Sequence, residues 1–253
     1  MALNTSIAPV TLENLADHPQ AICFINSKSE FYAPKVEWLK DQFENGLEIK
    51  MLYVDGVKRA IGFIEYIPGE YCWRRVNAKG YLFIHCLWTN GKKFQHQGLG
   101  KALLDEAEKR AKGTLGIAVM TSDKAFMANR LFFEANGYSC VAESGTEQLL
   151  IKKLSKGPEP SFNEPEKPLE SYKGLTMVYS KQCPWVPRFL EEVKPVLEEN
   201  NLEVKITELK TPAEAQKAPS LYGVFSLIYD GKILADRYIS TTRFKNIVKK
   251  EIG

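Results

Sequence analysis

The sequence predicts an α/β protein of two domains: a mixed central sheet flanked by helices, followed by a smaller α/β domain. Three observations carry this. A proline-rich polar stretch divides the chain. Strand and helix patterns alternate on both sides of it. A glycine loop, "QHQGLG", joins a fully apolar strand to an amphipathic helix in the first half.

The dividing stretch runs from Lys153 to Gly174, with Pro158, Pro160, Pro165 and Pro168 among Ser, Glu, Lys and Gly. It holds too few apolar residues to fold alone and reads as a semi-rigid linker. Residues 1–154 and 174–253 are then the domains, with 155–173 between them. The whole chain of 253 residues is long enough to bury two modest cores.

In the first domain, "EIKMLYVDGVKRAIGFIEYIP" predicts two strands turning at Asp55-Gly56. "GYLFIHCLWT" is apolar on both faces, as in a central strand covered on each side. After Gly100 the residues Leu99, Ala102, Leu103 and Ala107 share one helical stripe, with Asp105, Lys109 and Arg110 facing away. "LGIAVMTSD" is the next strand, and "KAFMANRLFFEANGY" a helix stopped at Asn136-Gly137. "YSCVAES" and "EQLLIKKL" close the domain as strands.

Composition excludes several classes. The 34 basic and 31 acidic residues differ by only three. No nucleic-acid or membrane partner is expected from that balance. No basic-then-apolar leader opens the chain, and no apolar run approaches a membrane span. Five scattered cysteines without a CxxC or HxxxH pair suit a reducing cytoplasm, with no metal site expected.

A strand feeding a glycine loop and a helix is a ready anion site, because the first helical turn has unpaired N–H groups. Gly98 and Gly100 allow an oxygen to approach the backbone. The dinucleotide fingerprint GxGxxG fails at Leu103, and the P-loop lacks its GK followed by Ser or Thr. What remains is Q-x-x-G-x-G, Gln95 to Gly100.

That loop, in its strand–loop–helix setting, resembles the pyrophosphate-binding motif of the GNAT superfamily of acetyl-CoA-dependent N-acetyltransferases, and "NRLFFEANGY" resembles a second motif of that family. The resemblance covers roughly residues 62–154. It implies acetyl-CoA as cosubstrate and direct attack of an amine, on a small molecule or peptide, in a ternary complex. It implies a coenzyme surface made by Cys86, Leu87, Trp88, Gln95, His96, Gln97, Gly98, Leu99, Gly100, Lys101, Asn129 and Phe133. Backbone N–H groups near Cys86–Trp88 would stabilise the oxyanion. The family's usual acid, a Tyr four residues before the helix-ending Gly, is replaced by Phe133. Tyr71, Ser122 and Tyr138 are the candidate acids left. Glu65, Glu70 and His85 are the candidate bases, each with a bland alternative as a solvent-facing or core residue. "PGEYCWRR", with Tyr71, Trp73, Arg74 and Arg75, is either an acceptor pocket with an anion-binding edge or a loop packing its aromatics.

The second domain predicts strand (175–180), helix (185–199), strand (202–209), a short segment, strand (224–229), strand (233–240) and helix (242–252). The order resembles the thioredoxin fold, with Cys183 of "SKQCPWV" at a helix N-terminus. The second redox position holds Val186, and Phe225 occupies the usual cis-proline position. A GNAT domain followed by such a degenerate domain resembles the YoaP-like bacterial acetyltransferases. The runner-up reading is a thiol-dependent redox or binding protein using Cys183, its first domain a regulatory acyl-CoA-binding unit. A third is a non-enzymatic acyl-CoA sensor. The sequence leaves the oligomeric state open.

Overall fold

The computed structural model describes residues 3–124, 127 and 129–252. They form two compact units. The first groups Met1–Ser27, Leu39–Cys72 and Asn77–Phe162; the second groups Lys28–Trp38, Trp73–Val76 and Asn163–Gly253.

From the N-terminus the elements are β1 (Thr5–Val10), α1 (Tyr32–Glu44), β2 (Glu48–Val54), β3 (Gly62–Pro68), β4 (Val76–Asn77) and β5 (Tyr81–Thr89). Then follow α2 (Leu99–Arg110), β6 (Gly116–Ser122), α3 (Arg130–Glu134), β7 (Ser139–Ser144), β8 (Glu147–Lys153) and β9 (Ser161–Phe162). Seven strands make the first unit's sheet, in the order β1-β2-β3-β5-β6-β8-β7. The apolar strand β5 is its middle member, and residues 81–84 are all buried. Only β5 and β6 run parallel; every other neighbour pair is antiparallel.

One face of this sheet is covered by α2. Leu99, Leu103, Leu104 and Ala107 pack on Ile64, Tyr66, Leu82, Ile84, Ile117 and Val119. Each such Leu is worth roughly 1.5–3 kcal/mol of burial, so the helix is held by its stripe rather than by propensity. Gly62 on β3 meets this helix closely: an added Cβ would lie 3.2 Å from Leu103 Cδ1 and 2.8 Å from the Trp88 carbonyl.

Several expected boundaries shift. The helix expected over 124–138 is seen only as Arg130–Glu134, and residues 125, 126 and 128 lie outside the described residues. Asn129 starts it by accepting a hydrogen bond from the Leu131 amide at 2.8 Å. Gly137, at φ +84°, ends it as expected.

In the second unit, β10 (Leu175–Tyr179) leads to α4 (Trp185–Glu192), α5 (Lys194–Glu199), β11 (Val204–Glu208), α6 (Pro212–Ala215), β12 (Phe225–Tyr229), β13 (Lys232–Ala235) and α7 (Thr241–Ile247), with one π-turn after it (Val248–Ile252). The sheet order is β11-β10-β12-β13, with β10 parallel to β11 and antiparallel to β12. Its core gathers Met177, Val186, Phe189, Val193, Phe225, Leu227 and Phe244. The single helix expected over 185–199 is two helices that part at Val193. Pro195 explains this, since it has no N–H to give the preceding turn and its ring crowds that turn's carbonyl. The strand expected to reach Ser240 stops at Ala235, and Ser240 instead caps α7 by accepting from the Arg243 amide at 3.3 Å.

Residues of the proline-rich stretch are bonded within this unit. The Glu166 amide donates to the Lys217 carbonyl at 2.9 Å and Asn163 Nδ2 to the Gln216 carbonyl at 3.1 Å.

Candidate active site

The site begins where β5 and β6 part. Their pairing runs from Tyr81–Gly116 to Ile84–Val119 and ends there. β5 continues to Thr89 against β3, and β6 continues to Ser122 against β8. The two central strands therefore present ladder edges that the sheet does not use beyond Ile84. Backbone N–H groups on such an edge are available to a ligand.

A β-bulge sits at the point of parting. Glu65 pairs with Cys86, but Tyr66 pairs with Ile84, so His85 is the extra residue. Ile84 keeps its place on the α2 face, and the bulge turns both His85 and Cys86 toward the opposite face. The side chain of His85 is fully buried while the residue as a whole keeps 7% of its exposure, so what is accessible is main chain.

On this opposite face Glu65 Oε1 lies 3.1 Å from His85 Nδ1, and Glu65 is fully buried. The alternating, solvent-facing placement considered for Glu65 does not occur. An ionised carboxylate only accepts, so an ionised Glu65 would hold the proton on Nδ1. Phe83 packs its ring on His85 at 5.9 Å between centroids.

Ser122 reaches the same face from the other bank of the opening, because it alternates with Ala118, the partner of Phe83. It is buried, and its Oγ donates to Glu147 Oε1 at 3.4 Å. Lys124 Nζ also reaches Glu147 Oε1, at 3.2 Å. Glu147 had no place among the expected site residues. Its signal was a charged residue opening the otherwise apolar "EQLLI" strand.

The glycine loop lies at the N-terminus of α2. Gly98 is the residue before the helix, at φ +76°, and no side chain caps the turn. A Cβ added at Gly98 would meet nothing within 4 Å among the described residues, so that side of the backbone is open to them. His96 is also left-handed, at φ +58°. Gln95, His96, Gln97 and Gly98 are exposed, and Leu99 is buried as the first anchor of the helix stripe. Lys101 pairs with Asp105 one turn on. Gly100 leaves room for its neighbours: an added Cβ would lie 3.3 Å from the Phe132 ring and 3.8 Å from Leu87 Cδ2. The loop, the end of β5 and α3 thus converge. An open, uncapped turn with glycine backbone is suited to a pyrophosphate, so coenzyme A fits these residues.

Other expected residues are placed elsewhere. Phe133 is fully buried in the core on the α2 side, against Tyr138 at 5.2 Å. Tyr138 lies in that same core, and its hydroxyl has no hydrogen-bond partner among the described residues. Burial first, then the negative charges of Glu108 and Asp105, push its pKa up. Asn129 is the helix cap described above. Trp88 is exposed, at 43%, and Cys86 and Leu87 are half-buried. Tyr71 is exposed and Glu70 lies beside it at the surface.

The acceptor pocket considered for "PGEYCWRR" needs correction at its arginines. Arg74 is buried, donates to the Trp73 carbonyl at 2.8 Å and Gln182 Oε1 at 3.2 Å, and lies 4.2 Å over the Tyr222 ring. Arg75 donates to the Pro219 carbonyl at 2.8 Å. Both guanidinium groups are engaged inside the second unit and form no open anion-binding edge.

Comparison with known proteins fits this geometry. Residues 13–138 match the family model described as acetyltransferase (GNAT) family, and residues 204–246 match the YoaP-like model. Over residues 13–138, just under half of the chain, the sequence is similar to GNAT acetyltransferases. The Bacillus subtilis (strain 168) protein described as uncharacterized N-acetyltransferase YoaP is 28% identical over 248 residues, covering 94% of this chain and 96% of that one. Two solved structures are similar. One is the paia N-acetyltransferase of Thermoplasma acidophilum in complex with coenzyme A, 19% identical, covering 60% of this chain and 99% of that one with a TM-score of 0.41. The other is a GNAT-family acetyltransferase of Staphylococcus aureus Mu50, 17% identical, covering 60% and 100% with a TM-score of 0.42. The assignment rests on the sequence matches. These matches support an acetyl-CoA-dependent acyltransferase.

Proposed function

We propose that the chain transfers acetyl from acetyl-CoA to the primary amine of a small molecule or peptide, by direct attack in a ternary complex. The observation that carries this is the parting of β5 and β6 after Ile84, beside an uncapped glycine loop. The loop from Gln95 to Lys101 holds the pyrophosphate on its amides. The thioester lies along the free edge of β5, and N–H groups in the Cys86–Trp88 stretch meet its oxyanion. Glu65 and His85 together take up the proton that the amine loses. Ser122 would turn its one hydroxyl proton from Glu147 toward the departing thiolate. A thiolate with a reference pKa near ~8.5 needs only modest help at neutral pH.

We further propose that residues 1–154 are the catalytic domain, 155–173 a linker, and 174–253 a thioredoxin-like accessory domain. The support is the β11-β10-β12-β13 order and the place of Cys183 just before α4. Val186 at the second redox position argues against a dithiol cycle, so nothing favours the thiol-redox reading. Five scattered cysteines without a CxxC pair support a reducing, cytoplasmic setting.

The test is release of free coenzyme A from acetyl-CoA with a broad panel of amines, beside calorimetric binding of coenzyme A. Binding and turnover are expected. Binding without turnover on any amine would instead favour the acyl-CoA sensor, and absence of both would sink the reading.

A further inference from the structure

We infer that Phe24, Phe63 and Trp88 form an acceptor subsite that takes an arylalkyl amine, with Phe24 the residue that sets the preference. The inference rests on the acetyltransferase reading above and names its substrate class.

The geometry starts from a strained turn. Cys23 and Phe24 are consecutive left-handed residues, at φ +46° and φ +58°, and neither is glycine. A bulky residue in that region is a backbone outlier, held only where its surroundings over-determine it. Here Ala21, Ile22 and Ile25 are all buried around the pair. The Phe24 amide donates to the Gln20 carbonyl at 3.2 Å, and the Ile25 amide to the Ile22 carbonyl at 2.9 Å. The turn is clamped at both ends, and its strain is spent on aiming one ring.

That ring meets β3. Phe24 packs edge-on against Phe63, with centroids 5.8 Å apart. Phe63 pairs with Trp88 and stands two residues before Glu65, so all three side chains share the face opposite α2. Phe63 is buried as a floor, Trp88 is exposed, and Phe24 is half-buried. Two large rings thus stand partly in solvent as neighbours of a third, on the same face as the Glu65–His85 pair. None of the three carries a formal charge. An amine borne on a short chain from an aromatic ring gains stacking there while its nitrogen lies toward Glu65. A polyamine gains only a cation–π contact for one of its charges.

The experiment uses the full chain with acetyl-CoA and two acceptors, phenethylamine and spermidine. The kcat/KM for phenethylamine is expected to exceed that for spermidine by about tenfold or more, and Phe24→Ala to raise the phenethylamine KM by about tenfold while the acetyl-CoA KM holds. Phe24→Leu, which keeps an apolar side chain at the strained turn, is expected to fall between the two and serves if the alanine variant melts early. Equal or better use of spermidine, or an unchanged phenethylamine KM in both variants, overturns the subsite. If no amine is turned over, the acetyltransferase reading fails and the subsite is read separately. Phenethylamine should then still quench tryptophan fluorescence in the coenzyme A complex, less so in Phe24→Ala and not in Trp88→Phe. No quenching in the wild-type chain overturns the subsite.

Discussion

Glu65 Oε1 and His85 Nδ1 face each other across 3.1 Å in a fully buried pair, and the one residue by which β5 exceeds β3 at that point brings Cys86 onto the same face. Without the bulge, alternation would carry Cys86 to the α2 face, out of reach of Glu65. With it, an acid, an imidazole and an accessible stretch of main chain occupy one patch at the parting of two strands. Proton uptake and oxyanion stabilisation become neighbours by backbone geometry alone.

Glu65→Gln keeps the shape and a hydrogen-bond acceptor but removes the charge. The expected result is a fall in kcat of about 10²–10⁴-fold, with coenzyme A affinity unchanged. Steady-state kinetics beside calorimetric titration check it. A kcat within a few-fold of the wild type would remove Glu65 from the chemistry.

Gly98→Ala tests the loop. Its φ of +76° costs a non-glycine residue about 1–2 kcal/mol, and no atom of the described residues lies within 4 Å of the added methyl. The melting temperature should drop slightly, while the dissociation constant for coenzyme A rises further than that strain alone accounts for. Equal affinity in both proteins would mean that nothing approaches this side of the loop.

Tyr138→Phe separates an acid from a core residue. The Tyr138 hydroxyl is buried without a partner, and leaving a buried polar group unsatisfied costs about 1–3 kcal/mol. Removing it is expected to leave stability equal or higher and kcat unchanged. A large loss of kcat would restore Tyr138 as the proton donor.

Tyr179 sets a limit at high pH. Burial, then the hydrogen bond and charge of Glu208, push its pKa up to about 12 from an ordinary value near 10.0. The folded state holds this proton more tightly than the unfolded state. Its contribution is therefore fully present below about pH 10 and is lost as pH rises toward about 12. Denaturant midpoints taken across that window should fall less steeply with pH in Tyr179→Phe than in the wild type.

Much of the first unit was legible because periodicity reports burial directly. The unbroken apolar run of β5 placed it at the sheet centre, and the stripe Leu99, Leu103, Ala107 placed α2 on one face. Chain breakers were legible where they act alone, as at Gly137. They were misjudged where two signals competed, as at Pro195 inside an otherwise helical run. β1 and α1 lie before Glu48, where no expectation had been set. Phe133 was legible as a departure from the usual Tyr, and the structure shows its ring in the core rather than facing the opening.

By itself the sequence determined what local chemistry determines: an open glycine turn, a helix ready for an anion, strands with one or two buried faces, and a missing tyrosine. Only the tertiary structure decided which side chains meet. The bulge that brings Cys86 onto the face of Glu65 and His85, the pairing that brings Ser122 to Glu147, the engagement of Arg74 and Arg75 within the second unit, and the packing of Phe24 on Phe63 all depend on register and packing between segments distant in the chain. No local pattern encodes a register slip of one residue, and that one residue decides which face Cys86 and the rest of β5 present.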